Sequence, residues 1–116
     1  MAATKYVPQH FAGVLVPDVA AVVFHPGTPI GGVVPLEEVL TGIVVVNGAN
    51  VVREFSLYYT HAATSIYLFQ QLALPPHSTS NLDLYLPLVA GQNISAVASA
   101  PGELSLTLYG LRLVAV

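Results

Sequence analysis

Short apolar runs, separated by turn-forming residues, divide this chain into pieces of strand length. From Arg53 to Thr60, apolar side chains alternate with polar ones, which is the period of a half-buried β-strand. The same alternation gives inward faces to four predicted strands: Phe55, Leu57 and Tyr59; Leu82, Leu84 and Leu86; Ile94, Ala96 and Ala98; Leu104, Leu106 and Leu108. Four such faces predict one shared apolar core.

Prolines and glycines recur along the whole chain and end most of these runs, as they do in sandwiches and barrels. The predicted fold is all-β, a single antiparallel β-sandwich of jelly-roll or Ig-like type with about eight strands. Residues 1–116 are expected to form one domain, with residues 1–10 either an ordered arm or a frayed end. Pro35 to Leu40 combines a proline with two acidic residues, so at most one short helical turn is expected there.

Three local features refine this expectation. Ile43 to Val46 does not alternate and favours β-structure, which predicts a central strand covered on both faces. Asn47-Gly48 follows it and predicts a hairpin to the strand that begins at Val51. Beyond Gly110, Leu111 and Leu113 lie on the opposite parity from the leucines before it, which predicts a bulge or bend at the glycine.

Charge is the unusual part of the composition. Only 8% of the 116 residues are charged, against roughly 25% in an average soluble domain, and the net charge is −3. Three basic residues are too few to form the basic patch that binds nucleic acid. The charge-free stretches are interrupted by proline, glycine and polar residues, so they do not predict a membrane span. The expected partners are therefore proteins, with no nucleic acid and no membrane.

Catalytic and metal-binding patterns are weak in this sequence. The four histidines, His10, His25, His61 and His77, are far apart in sequence, and a metal site of the cupin type would need at least three of them to converge. Acidic residues fall on the polar parity of predicted strands, and no G-x-S-x-G occurs. We therefore expect no enzyme activity, no cofactor and no metal.

Tyrosine placement gives the best candidate for function. Three tyrosines lie on the outward parity of different predicted strands, and tyrosine is enriched at protein interfaces. If those strands share a sheet, the three rings form one patch; alternatively, each ring stabilises its own sheet as a cross-strand partner. With the uncharged N-terminal segment, they give the candidate interface Phe11, Val14, Leu15, Tyr58, Tyr85 and Tyr109.

The order of segments from Val22 to Val114 resembles small β-sandwich virion proteins of tailed bacteriophages. The segments that carry the resemblance are Val22–Gly27 with its Pro-Gly turn, Leu40–Asn47, the Arg-x-Phe-x-Leu-Tyr strand Arg53–Tyr58, Leu88–Ser99, and Leu104–Gly110 closing on Tyr-Gly. Where the relatives often have Gly-Asp, this chain has Gly91-Gln92. The resemblance transfers no site residues.

This resemblance implies a head decoration, neck or tail accessory protein that acts by assembling into a particle. The leading hypothesis is a non-enzymatic virion subunit that forms a homo-oligomer, docks on other virion proteins and is assembled in the host cytoplasm. The alternative is a carbohydrate- or receptor-binding β-sandwich module of an adhesion device, which would need exposed aromatic rings beside Asn, Gln or Asp.

Overall fold

Eight β-strands and no helix are found in the computed structural model, which describes residues 3–29 and 32–115. The strands are β1 (Thr4–Leu15), β2 (Ala21–Phe24), β3 (Glu37–Asn47), β4 (Arg53–His61), β5 (Thr64–Leu74), β6 (Ser78–Leu88), β7 (Asn93–Ala98) and β8 (Leu104–Ala115). The segment that could have formed a helical turn instead starts β3.

Two four-stranded sheets pack together as a β-sandwich, which confirms the predicted fold class. Sheet A has the strand order β1-β8-β3-β6, and sheet B has the order β2-β7-β4-β5. Every neighbouring pair is antiparallel. The pairing is nested, because β1 pairs with β8, β2 with β7, β3 with β6, and β4 with β5. This nesting is the topology of a jelly roll rather than of an immunoglobulin domain.

One core fills the space between the sheets, as the alternation predicts. Phe55, Leu57 and the leucines of β8 at 104, 106 and 108 are buried, and Ile94, Ala96 and Ala98 of β7 join them. The leucines of β6 are partly buried and pack against this cluster. Burying about 20 large apolar side chains, at roughly 1.5 to 3 kcal/mol each, is the main force that holds the two sheets together.

The hairpin predicted at Asn47-Gly48 is wrong, because β3 and β4 belong to different sheets. The Asn47 side chain is fully buried, and its Nδ2 donates to the carbonyl oxygens of Val51, Leu74 and Pro75. Its Oδ1 accepts from the Ala49 N–H at 2.9 Å. The amide thus turns the chain from sheet A into sheet B, and Gly48 does not adopt a positive φ.

The bulge or bend predicted at Gly110 is also wrong, since buried and more exposed residues of β8 keep alternating through residue 112. The extra residues lie instead in the neighbouring strands, at Phe11 in β1 and at Thr41 in β3. Leu111 and Leu113 consequently lie on the outer face of sheet A, and Arg112 points inward. A glycine can mark a bulge in its neighbours as well as in its own strand.

The prediction that Ile43 to Val46 is covered on both faces is only half right. This segment is central in sheet A, between β8 and β6, and Ile43 and Val45 are fully buried in the core. Val44 and Val46 face outward and are half-buried. The outer face of sheet A is therefore not covered by another part of the described chain at this point.

The N-terminal segment is part of the sheet. Thr4 to His10 pair with β8 from Ala115 back to Tyr109, so these residues form a strand rather than an arm, while residues 1 and 2 lie outside the described ranges.

A two-residue turn at Ala62-Ala63 joins β4 to β5. Their φ angles are 49° and 69°, and positive φ at both central residues defines a type I′ turn. Alanine is a poor residue here, because its Cβ crowds the backbone in this region.

We predict that Ala62→Asn combined with Ala63→Gly raises the free energy of unfolding by about 1 kcal/mol or more, since Asn-Gly fits a type I′ turn without this strain. Urea denaturation measures the change. The matched control has the same two residues in reverse order, Ala62→Gly with Ala63→Asn, and should gain less. Equal stability of the two double variants would contradict the turn assignment.

Candidate interaction surfaces

The four histidines do not come together. His10 is on β1, His25 follows β2, His61 ends β4 and His77 precedes β6. No group of three or more His, Asp or Glu residues that could hold a metal occurs in residues 3–29 and 32–115. The convergence that a cupin-like metal site requires is therefore not seen among these residues.

A buried ion pair lies at one end of sheet A. Arg112 and Glu38 are cross-strand neighbours on the inner face, and their side chains are 4% and 3% exposed. Arg112 Nε is 3.7 Å from Glu38 Oε2, too far for a hydrogen bond. Arg112 Nη2 donates to the Val33 carbonyl at 3.0 Å, and Glu38 Oε1 accepts from the Gly27 N–H at 2.5 Å. The pair therefore fixes the β2–β3 connection against sheet A.

An open pocket of about 390 Å³ lies beside this pair. It is lined by Gly27, Pro35, Leu36, Glu37, Glu38, Pro87, Leu88, Val89 and Ala90. Its walls are mostly apolar, and the Glu38 carboxylate already holds Gly27 and faces Arg112. The pocket thus combines apolar walls with one carboxylate, that of Glu37, which has no role in the ion pair.

The three candidate tyrosines do not share a sheet. Tyr85 on β6 and Tyr109 on β8 lie on the outer face of sheet A, where they are 72% and 37% exposed. Tyr58 lies on β4 in sheet B, with its ring centroid 5.3 Å from that of Tyr67 across the strand pair. The single patch of three rings is thus not formed, and Tyr58 fits the alternative of a cross-strand partner.

The remaining candidates have three different environments. Phe11 is buried and stacks on Phe24, with ring centroids 4.9 Å apart, so it belongs to the core and is not available to a partner. Phe11 follows the outward-facing His10 and faces inward, and the β1 bulge leaves Ala12 facing inward as well. Val14 is half-buried and packs against the core. Leu15 is 65% exposed on β1 and stays a surface candidate.

The outer face of sheet A is a surface with few charges. Directly paired residues share a face, so the registers define its members. They are Tyr6, Pro8, His10, Gly13 and Leu15 on β1; Ser105, Thr107, Tyr109, Leu111 and Leu113 on β8; Glu37, Val39, Gly42, Val44 and Val46 on β3; and Thr79, Asn81, Asp83, Tyr85 and Pro87 on β6. These positions include no Lys or Arg. More than half of them are apolar or tyrosine.

Tyr6 is a member that sequence reasoning missed. It is 53% exposed, and the Glu37 carboxylate is the main cause that raises the pKa of the Tyr6 hydroxyl above its usual value, with desolvation and Tyr85 adding to it. These effects place Tyr6, Glu37 and Tyr85 near one another. The signal that could have found this face is the pair Leu111 and Leu113 flanking an arginine, which puts two leucines outside and one charge inside.

Two aromatic rings flatten this face over glycines. A Cβ on Gly42 would overlap the ring of Tyr109, so the ring lies directly on the glycine backbone. A Cβ on Gly13 would be 3.1 Å from Nε2 of His10, whose ring lies similarly beside it. Both rings therefore lie close to the backbone of the sheet.

The hairpin of β4 and β5 offers a second exposed feature. Every residue from His61 to Tyr67 is exposed, including Ile66 at 46% and Tyr67 at 51%. However, β5 carries register irregularities opposite Ser56 and Leu57, which interrupt its free edge. Regular pairing of β5 with β4 is thus confined to two short segments, Thr64 to Tyr67 and Leu72 to Leu74.

Comparison with known proteins adds no family to this description. The chain matches no protein-family model and no curated protein. In residues 3–29 and 32–115 there is no helix long and apolar enough to cross a membrane.

Proposed function

We propose that this chain is a non-enzymatic structural subunit of a phage or phage-like virion, which assembles with itself and docks on other virion proteins. The observation that carries the proposal is the outer face of sheet A. It carries exposed tyrosines and few charges, which is the composition of the centre of a protein interface. The resemblance of the segment order to small virion proteins supports the particle context.

The pairing of basic residues within the molecule supports the same function. Of the three basic residues, Arg112 is buried against Glu38 and Arg53 pairs with Glu103, so two are engaged within the molecule. The exposed surface consequently carries few charges, and hydroxyl, amide and tyrosine side chains supply many of its polar groups. Such side chains can be buried in an interface at a lower desolvation cost than charges.

Co-sedimentation tests this proposal. The chain is expressed together with the genes that neighbour its own, and assembled particles are separated on a density gradient. We expect the chain to sediment with the particles in fixed stoichiometry, measured by quantitative mass spectrometry, and to be visible at one location in negative-stain images.

Two results would contradict it. One is a full set of particles that leaves this chain in the soluble fraction. The other is a monomer at all concentrations in sedimentation velocity that binds specific sugars on a glycan array. The latter result favours the adhesion module, for which Tyr85 beside Asn81 and Asp83 would provide the stacking ring and the polar groups.

A further inference from the structure

We infer that the outer face of sheet A binds the same face of a second copy, about a two-fold axis that runs along the strands between β8 and β3. This inference rests on the proposed function of self-assembly and adds to it the surface and its symmetry. Three features of the face support it: its area, the distribution of its acidic residues, and the two rings that lie close against glycines.

The area is sufficient for a specific dimer. The face has ten residues along β1 from Tyr6 to Leu15 and four strands across. At about 3.3 Å per residue and 4.8 Å per strand, this is roughly 600 Å² per copy in projection. Two copies bury roughly 1,200 Å², which reaches the lower bound of a standard interface.

The positions of the acidic residues determine the direction of the axis. The acids of the face, Glu37 and Asp83, lie on β3 and β6, whereas the members on β1 and β8 include no acid. An axis along the strands places β1 and β8 of one copy over β6 and β3 of the other. His10 then lies over Asp83 of the second copy, and this contact occurs twice.

The other in-plane axis is unfavourable. An axis across the strands, through the row of His10, Tyr109, Gly42 and Asp83, places each strand over its own copy. Asp83 would then meet Asp83, and like charges in an interface cost several kcal/mol.

Packing geometry agrees with the axis along the strands. Face-to-face sheets prefer strand directions within about 30° of each other, and a two-fold axis that bisects this angle keeps the rows in register. Thr107 then lies over Val44 of the second copy. Because the rings of His10 and Tyr109 lie against glycines, the two faces can approach closely along this row.

Sedimentation equilibrium on charge variants of the full chain tests the geometry. His10→Glu places an acid over Asp83 of the second copy and should raise the dimer Kd by about tenfold or more. Adding Asp83→Lys restores an opposite charge and should return the Kd to within about threefold of wild type. With the axis across the strands, the double variant would instead oppose Lys to Lys and Glu to Glu, so a Kd no tighter than that of His10→Glu overturns the inference.

A second pair of variants tests whether the face is used at all. Thr107→Lys, at the half-buried centre of the face, should abolish the dimer, whereas Thr60→Lys on the outer face of sheet B should leave it intact. Thermal unfolding verifies that each variant is folded. Unchanged assembly of Thr107→Lys overturns the inferred surface while the proposed function stands. A wild-type chain that never self-associates overturns this inference, and co-sedimentation with particles then decides the proposed function separately.

Discussion

Gly110→Ala is expected to lower the free energy of unfolding by about 3 kcal/mol or more, a large part of the roughly 5 to 15 kcal/mol of a typical domain. A Cβ at this position would overlap the carbonyl oxygen of Val39 and lie 2.9 Å from Cε2 of Phe11. The carbonyl belongs to the central strand of sheet A and cannot move without breaking its pairing. The Phe11 ring is held in the core by Phe24.

Gly48→Ala is the matched control for this effect. Its Cβ would meet the Glu103 carbonyl oxygen at 3.5 Å, an ordinary contact, and Gly48 does not have a positive φ. Its stability should change by less than about 1 kcal/mol, in the stabilising direction, because alanine reduces the entropy of the unfolded chain. Urea denaturation of both variants measures the difference. Similar losses at both glycines would show that the close approach at Gly110 is not rigid.

Arg112→Met is expected to cost about 3 to 5 kcal/mol, because it leaves the Glu38 carboxylate buried without its counter-charge. The double variant Glu38→Gln with Arg112→Met removes both charges and keeps an oxygen that can accept from the Gly27 N–H. Replacing both members of a buried pair is often nearly neutral, so the double variant should recover most of the loss. A double-mutant cycle by urea denaturation measures the coupling.

The ion pair of Arg53 and Glu103 provides the control, since it joins the same residue types with side chains that are 28% and 38% exposed. Arg53→Met should cost less than about 1 kcal/mol, and high salt should reduce even this. Equal costs for Arg53→Met and Arg112→Met would contradict the importance of burial. A double variant less stable than Arg112→Met would show that losing the charged acceptor of the Gly27 N–H costs more than removing the unpaired charge gains.

Alternation along single strands predicted the core well. Period-two patterns depend on the inner and outer faces of one strand, and a sequence shows them directly. For β8, the leucines at 104, 106 and 108 are buried as expected. The fold class followed from the same patterns together with the frequency of turns.

Pairing between strands could not be obtained in this way. Asn47-Gly48 has the best hairpin sequence of the chain but starts a connection between sheets, because the Asn47 amide binds carbonyl groups that only the folded chain brings near it. The type I′ turn instead lies at Ala62-Ala63, whose residues give no turn signal. Long-range partners override local preference at both places.

The candidate surface was predicted only in part, because it also depends on how the strands pair. Tyr85 and Tyr109 face outward on sheet A, as expected. Tyr58 is not beside them, because its strand belongs to sheet B. Phe11 was grouped with Leu15 as surface because its run is uncharged, but the β1 bulge between them places Phe11 in the core and Leu15 outside. A bulge depends on the register between two strands, and the sequence of one strand does not show which strand it pairs with.

The nested strand order also has a consequence for how the chain folds. Among the described strands, β4 and β5 are the one pair of sheet neighbours joined by a short turn. By contrast, β1 pairs with β8, and almost the whole chain separates these two strands. Closure of such distant pairs is entropically costly, so folding in milliseconds to seconds, outward from Ala62-Ala63, is expected. During synthesis, β1 leaves the ribosome before β8 and stays without its partner until β8 emerges. Because Pro8 cannot donate a ladder hydrogen bond, we expect β1 to pair less readily with other strands before β8 is present.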